Sequence, residues 1–210
     1  MNNIYNIKKI LITTLLLSFA NQFLFSTEEK KLLILGDSIS AGYGVDSNLQ
    51  WTKILQEKIK NSGWQIVNAS ISGDTTGGGL SRVEVLVKKH KPSILLVELG
   101  GNDALRGYPT EKIKSNLKKI ASIGNNQGAE ILLMQIKIPP NYGRRYVNAF
   151  ESIYKDLAKE TGITYLPFML DEIALNKDLM LPDGIHPNAD AQPLIADILY
   201  SDLMGFIDNQ

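Results

Sequence analysis

From Thr27 onward the chain repeats one pattern: a short run that is apolar throughout, then a longer stretch with apolar residues at helical spacing. The short runs are Lys31–Leu35, Trp64–Asn68, Ser93–Leu99, Ile131–Ile136 and Ile163–Leu166, each of strand length. Between and after them come Leu49–Lys60, Leu80–Lys89, Thr110–Ser122, Val147–Lys159 and Leu194–Leu203. In the first of these, Trp51, Ile54, Leu55 and Ile59 share one side, and in the third Ile113, Leu117 and Ile120 do. A strand that is apolar on both faces must be covered on both, which means a parallel sheet between helical layers. The pattern therefore predicts a three-layer α/β/α sandwich with a doubly wound, parallel five-stranded sheet. In such a sheet the ligand sits outside the carboxyl ends of the strands. No linker, repeat or low-complexity segment divides residues 27–210, so they are expected to form a single domain.

The composition narrows the chemistry further. There is no cysteine, so thiol catalysis, cysteine-ligated zinc, disulfides and lipidation at an N-terminal cysteine are excluded together. The two histidines are His90 and His186, too few for a multi-histidine metal site. Lys and Arg number 22 against 22 Asp and Glu. No basic stripe stands out, which argues against a nucleic-acid partner.

Residues 1–26 differ from the rest. Lys8 and Lys9 precede an apolar run from Ile10 to Ala20, with no acidic residue as far as Ser26. This is the pattern of a secretory signal peptide, with small residues offered for cleavage after Ala20 or after Ser26. The strongly apolar run of about 11 residues is short for the ~20 that a membrane span needs. The expectation is a periplasmic or secreted protein with no stable membrane span after cleavage, and nothing demands more than a monomer.

Polar, turn-rich motifs follow the predicted strands. The first strand runs into Gly36-Asp37-Ser38, the second into Asn68-Ala69-Ser70-Ile71-Ser72-Gly73-Asp74 and the third into Gly100-Gly101-Asn102-Asp103. The fifth is followed, after a helical stretch, by Asp183-Gly184-Ile185-His186-Pro187. A serine hydroxyl just past a strand can be a nucleophile if a base activates it. His186 is the better base of the two histidines, because His90 ends a helix among Lys88, Lys89 and Lys91, where cations suit the macrodipole. Asp183, three residues before His186 in a loop that Pro187 keeps irregular, can reach one ring nitrogen while the other faces Ser38. Gly73, Asn102 and the N–H of Ser38 itself can supply donors for an oxyanion. Each residue alone has a plainer role, as helix cap, turn glycine, Asx-turn or surface histidine. Their occurrence together, in order, after successive strands is what points to a serine hydrolase. The α/β-hydrolase signal Gly-x-Ser-x-Gly is absent.

These four motifs resemble the four blocks of the SGNH (GDSL-type) hydrolases. Ser40-Ala41-Gly42-Tyr43-Gly44, Leu105-Arg106-Gly107, Asn141-Tyr142-Gly143-Arg144-Arg145-Tyr146 and Asp190-Ala191-Gln192-Pro193 narrow the similarity to the bacterial periplasmic thioesterase I/lysophospholipase/arylesterase group, over roughly Lys31 to Leu203. The resemblance implies a flavodoxin-like fold. It also implies hydrolysis of acyl thioesters and oxygen esters, lysophospholipids included, without a cofactor or metal. Ser38 is then the nucleophile, Asp183 and His186 complete the triad, and Ser38, Gly73 and Asn102 form the oxyanion hole. Leu105, Tyr108, Ile138, Pro139 and Tyr142, which follow the third and fourth strands, are expected to line the acyl site. The glycine-rich run Thr75–Gly79 is expected to form a mobile loop. Two other functions fit the same motifs: a carbohydrate O-acetylesterase, and a non-catalytic flavodoxin-like binding domain. The partner expected in the first two is a small-molecule acyl ester or lipid, and an exported enzyme meets lipid esters more readily than acyl-CoA.

Overall fold

The computed structural model describes residues 29–207. The expected signal segment, 1–26, lies outside the described residues. The sheet has five strands in the order β2-β1-β3-β4-β5: β1 (Lys30–Gly36), β2 (Trp64–Asn68), β3 (Ile94–Glu98), β4 (Glu130–Met134) and β5 (Thr164–Leu166). Every neighbouring pair is parallel. The helices are α1 (Ser38–Ala41), α2 (Trp51–Ile59), α3 (Thr76–His90), α4 (Gly101–Leu105), α5 (Thr110–Asn126), α6 (Arg144–Thr161) and α7 (Gln192–Ile207).

The alternation of strand side chains divides the core in two. Leu32, Ile34, Ile94, Leu96, Leu132 and Met134 face one side, where they pack with Trp51, Leu55, Ile195 and Leu199 of α2 and α7. Leu33, Leu35, Leu95, Val97, Ile131 and Leu133 face the other, against Val83, Ile120, Phe150 and Tyr154 of α3, α5 and α6. The sheet is thus buried on both faces, as continuous apolar strands require. Truncating one of these fully buried leucines to alanine costs about 2–5 kcal/mol.

Two local expectations are corrected. The run Thr75–Gly79 is not a mobile loop. Thr75 caps α3 through its side chain, which accepts the Gly78 N–H, and Gly77, Gly78 and Gly79 form the helix's first turn. The glycines serve close packing: a Cβ on Gly79 would lie 2.3 Å from Leu99 Cδ1, and one on Gly78 would lie 1.9 Å from Asp74 Oδ1. The stretch before Asp183 holds two three-residue 3-10 turns, Ile173–Leu175 and Lys177–Leu179, rather than an α-helix. Among the described residues no helix is long and apolar enough to cross a membrane.

Strand order reverses direction at β1 and β3, β1 being followed in space by β2 on one side and β3 on the other. A crevice opens at such a switch point, above the carboxyl ends of the strands. Gly36-Asp37-Ser38 and Gly100-Gly101-Asn102 emerge on its two sides.

Candidate active site

Of the residues singled out by the sequence, Ser38, Asn102 and His186 line that crevice. Ser38 opens α1, one residue after Asp37, which caps the helix by accepting the Ile39 N–H on Oδ1 at 3.1 Å. His186 Nε2 lies 2.8 Å from Ser38 Oγ, although the two residues are 148 positions apart in the chain. His186 Nδ1 lies 2.7 Å from Asp183 Oδ2.

The loop that carries Asp183 and His186 is tightly held. Asp183 Oδ1 accepts the backbone N–H groups of Ile185 and His186 at 2.9 and 3.0 Å. The Leu181 N–H donates to the His186 carbonyl at 2.7 Å, and Met180 and Pro187 form an antiparallel bridge. The Tyr43 ring covers His186 at a centroid distance of 4.5 Å. Desolvation is the largest single influence on Asp183 and raises its pKa. The backbone N–H of His186, the His186 ring and the Ile185 N–H together outweigh it and hold the carboxyl at about 2. Asp183 is therefore ionised wherever an imidazole can act as a base.

Of the three expected oxyanion donors, Ser38 and Asn102 line the crevice, and Gly73 lies in the turn after β2. Among the described residues no backbone partner accepts from Ser38 N–H or Gly73 N–H. Gly73 has φ +79, a conformation that glycine adopts without strain, and its carbonyl accepts from Arg106 Nη2 at 3.3 Å. Asn102 donates one Nδ2 hydrogen to Asp37 Oδ2 at 3.1 Å, which leaves the other free.

Supports behind these groups were not read from the sequence. Asp103 accepts the Thr76 N–H and hydroxyl at 2.8 and 2.6 Å, and Asn116 Nδ2 donates to Thr76 Oγ1 at 3.0 Å. All three side chains are buried, so the network pins the start of α3 to α4 and α5. Arg82 donates to Asp74 Oδ2 from Nε at 2.9 Å and from Nη2 at 2.6 Å, and also to the Ala69 carbonyl. That clamps the turn containing Gly73. Glu98, at the end of β3, is wholly buried beneath the Ser38 turn. The signal for Glu98 was present in the sequence, as the one charged side chain inside an otherwise apolar strand.

Beside Ser38 and His186 opens a cavity of about 420 Å³ whose wall includes Leu105, Ile136, Ile138, Pro139, Phe168 and Leu170. Of the residues expected to line an acyl site, Leu105, Ile138 and Pro139 are in this wall. Tyr108 and Tyr142 lie outside it. The Tyr108 carbonyl accepts from Tyr146 Oη at 2.6 Å, and Tyr142 borders a separate shallow groove with Arg144 and Arg145. Pro140, the first residue of the 3-10 turn Pro140–Tyr142, still lines the cavity, and Tyr142 at its end does not. Among the described residues no cluster of three or more acidic or histidine side chains could hold a metal ion.

Known proteins share this chain's sequence and fold. The chain is 48% identical over 182 residues to the thioesterase 1/protease 1/lysophospholipase L1 of Escherichia coli strain K12, covering 85% of each. It is 42% identical over 181 residues to an arylesterase of Vibrio mimicus, covering 85% of this chain and 90% of that one. The crystal structure of the psychrotrophic esterase EstA from Pseudoalteromonas sp., inhibited by monoethylphosphonate, superposes with a TM-score of 0.83 at 40% identity, over 86% of this chain and 100% of that one. The model of the GDSL-like lipase/acylhydrolase family matches residues 34–193, a span that begins in β1 and ends in α7 and so includes every strand end of the crevice. The chain belongs to the GDSL-like lipase/acylhydrolase family.

Proposed function

We propose that this protein is a serine esterase that hydrolyses acyl esters and thioesters through an acyl-enzyme on Ser38. The observation that carries the reading is His186, which bridges Ser38 and Asp183 at 2.8 and 2.7 Å at the side of an apolar cavity. In the first step His186 Nε2 takes the Ser38 proton as Oγ attacks the acyl carbon. Asp183 holds the Nδ1 tautomer and stabilises the imidazolium. The tetrahedral oxyanion is bound by Ser38 N–H, Gly73 N–H and the second Nδ2 hydrogen of Asn102. His186 returns the proton to the departing alcohol or thiol. Water, activated by the same imidazole, then releases the acid and restores Ser38.

The apolar wall suits an alkyl chain better than a sugar ring, which needs polar partners for its hydroxyls. Lysophospholipids, alkyl and aryl esters and acyl thioesters are the substrate classes that fit it. The segment 1–26 acts as a secretory signal, which places the enzyme in the periplasm or outside the cell. Sequencing the N-terminus of the exported protein tests this, since an intact Met1 would overturn it.

The experiment for the reaction is a p-nitrophenyl ester series from acetyl to palmitoyl, assayed on wild type and Ser38→Ala. The variant is expected to lose activity by about 10⁴-fold or more while its thermal transition is unchanged. Full activity in Ser38→Ala would overturn the assignment. Hydrolysis confined to the acetyl ester would favour a carbohydrate O-acetylesterase instead.

A further inference from the structure

Glu98 and Asp37 are buried ionisable groups next to Ser38 for which the reaction above has no use. Glu98 Oε2 accepts the Asp37 N–H at 3.2 Å and the Ser40 hydroxyl at 2.7 Å, so it braces both sides of the Ser38 turn. Gly36 pairs with Glu98 in the β1–β3 register. A Cβ on Gly36 would lie 2.6 Å from Glu98 Oε2. The glycine that opens the Gly36-Asp37-Ser38 motif is thus the residue that makes room for this carboxyl.

The other oxygen, Oε1, is buried with no hydrogen-bond partner. Close by, the Asp37 carboxylate is satisfied on both sides, with Oδ1 accepting from Ile39 N–H and Oδ2 from Asn102. Two carboxyl groups buried together cannot both ionise without a large penalty, so the pair retains a proton. Protonating Asp37 would weaken the acceptor that holds Ile39 N–H or Asn102. Protonating Glu98 Oε1 displaces no hydrogen bond and removes a buried anionic oxygen that has no partner, where a neutral group is far cheaper.

We infer that Glu98 is a positioning residue that stays protonated while Ser38 reacts, so that the negative charge beneath the turn rests on Asp37 and fixes the Asn102 amide in the oxyanion hole. This rests on the esterase reading for its catalytic consequence but not for the location of the proton. Burial and the Asp37 charge both push Glu98 well above the ordinary glutamate range. Asp37 rises only to about 6, because hydrogen bonds from Ile39 N–H and Asn102, contact with Glu98 and the charge on His186 oppose its burial. The titratable groups facing the Asp37–Glu98 pair are His186 from the Asp183 loop and Tyr154 from α6, whose own ionisation Glu98 and Asp37 oppose.

Infrared difference spectra of wild type and Glu98→Gln test the proton directly. At pH 8 the wild type is expected to show the C=O stretch of a buried protonated carboxylic acid that Glu98→Gln lacks. No such band in the wild type, or its persistence in the variant, overturns the proposal whether or not the protein is an esterase. The positioning role is read from kinetics. Glu98→Leu is expected to lower kcat by about 10²-fold, the scale of losing one oxyanion donor, with KM changed less than about threefold. Glu98→Gln, which presents the same acceptor with no charge, should restore kcat to within about threefold of wild type. A Gln variant as impaired as the Leu variant would show that the charge is needed and overturn the proposal. If Glu98→Leu does not fold, Glu98→Gln and the infrared band decide. Fluorophosphonate labelling of Ser38 in the wild type separates a failure of this proposal from a failure of the esterase reading.

Discussion

Asp37 performs two tasks with one carboxylate. Oδ1 caps the α1 turn that presents Ser38, and Oδ2 holds the Asn102 amide. Asp37→Asn keeps the size but sets a second amide against Asn102, so only one of the two acceptors survives. Its kcat is expected to fall by about 10–10²-fold with little change in KM, because the lost interaction serves the oxyanion and not substrate binding. A KM effect larger than the kcat effect would show that Asn102 acts on the ground state. Ser38, Asp183, His186, Gly73 and Asn102 could be picked out of the sequence because each follows a strand end in a short polar motif. The partners of the groups that hold them could not, even where a lone charge such as Glu98 stood out in an apolar strand. Glu98 and Asp37 act through a contact between β3 and the β1 turn, and Thr76 meets Asp103 27 positions later. Such pairings exist only once the sheet has brought the strand ends together.

At the level of elements, the strands were legible to within a residue or two, because an apolar run flanked by turn residues has few alternatives. The helices were legible in their apolar faces and less so at their starts. The first turn of α3 carries three successive glycines, and propensity alone argues against a helix there. Packing overrides it: the start of α3 lies so close to Leu99 and Asp74 that side chains would collide. Gly79→Ala is expected to destabilise the protein by about 1–3 kcal/mol, the scale of overpacking a filled core. The gain that alanine brings to an ordinary helix position should not appear, and urea denaturation checks this. Arg82→Ala frees the Asp74 turn. It should lower kcat through Gly73 while the midpoint of unfolding moves less than for Gly79→Ala.

For the molecule as a whole, the acidic groups of the crevice set opposite pH dependences. Asp183 is lowered to about 2. It contributes stability above its unfolded value of 3.8, and that contribution is lost as pH falls towards 2. Glu98 is raised above its unfolded value of 4.5. The native state then keeps a proton that the unfolded chain releases, so stability declines as pH rises from about 4.5, by up to about 1.4 kcal/mol per pH unit. Glu98→Gln removes this decline. The difference in unfolding free energy between variant and wild type should therefore grow in the variant's favour from pH 5 to pH 8. A difference independent of pH would mean that Glu98 titrates normally.

The Ser38–His186 pair spans 148 positions of the chain. A chain made from its N-terminus exposes the hydroxyl long before the imidazole that would activate it. At synthesis rates of about 5–20 residues per second, that interval is about 7–30 s. Throughout it Ser38 exists without the base that the proposed mechanism requires. On that mechanism, the order of the two residues in the sequence keeps the chain inactive until its C-terminal part is made.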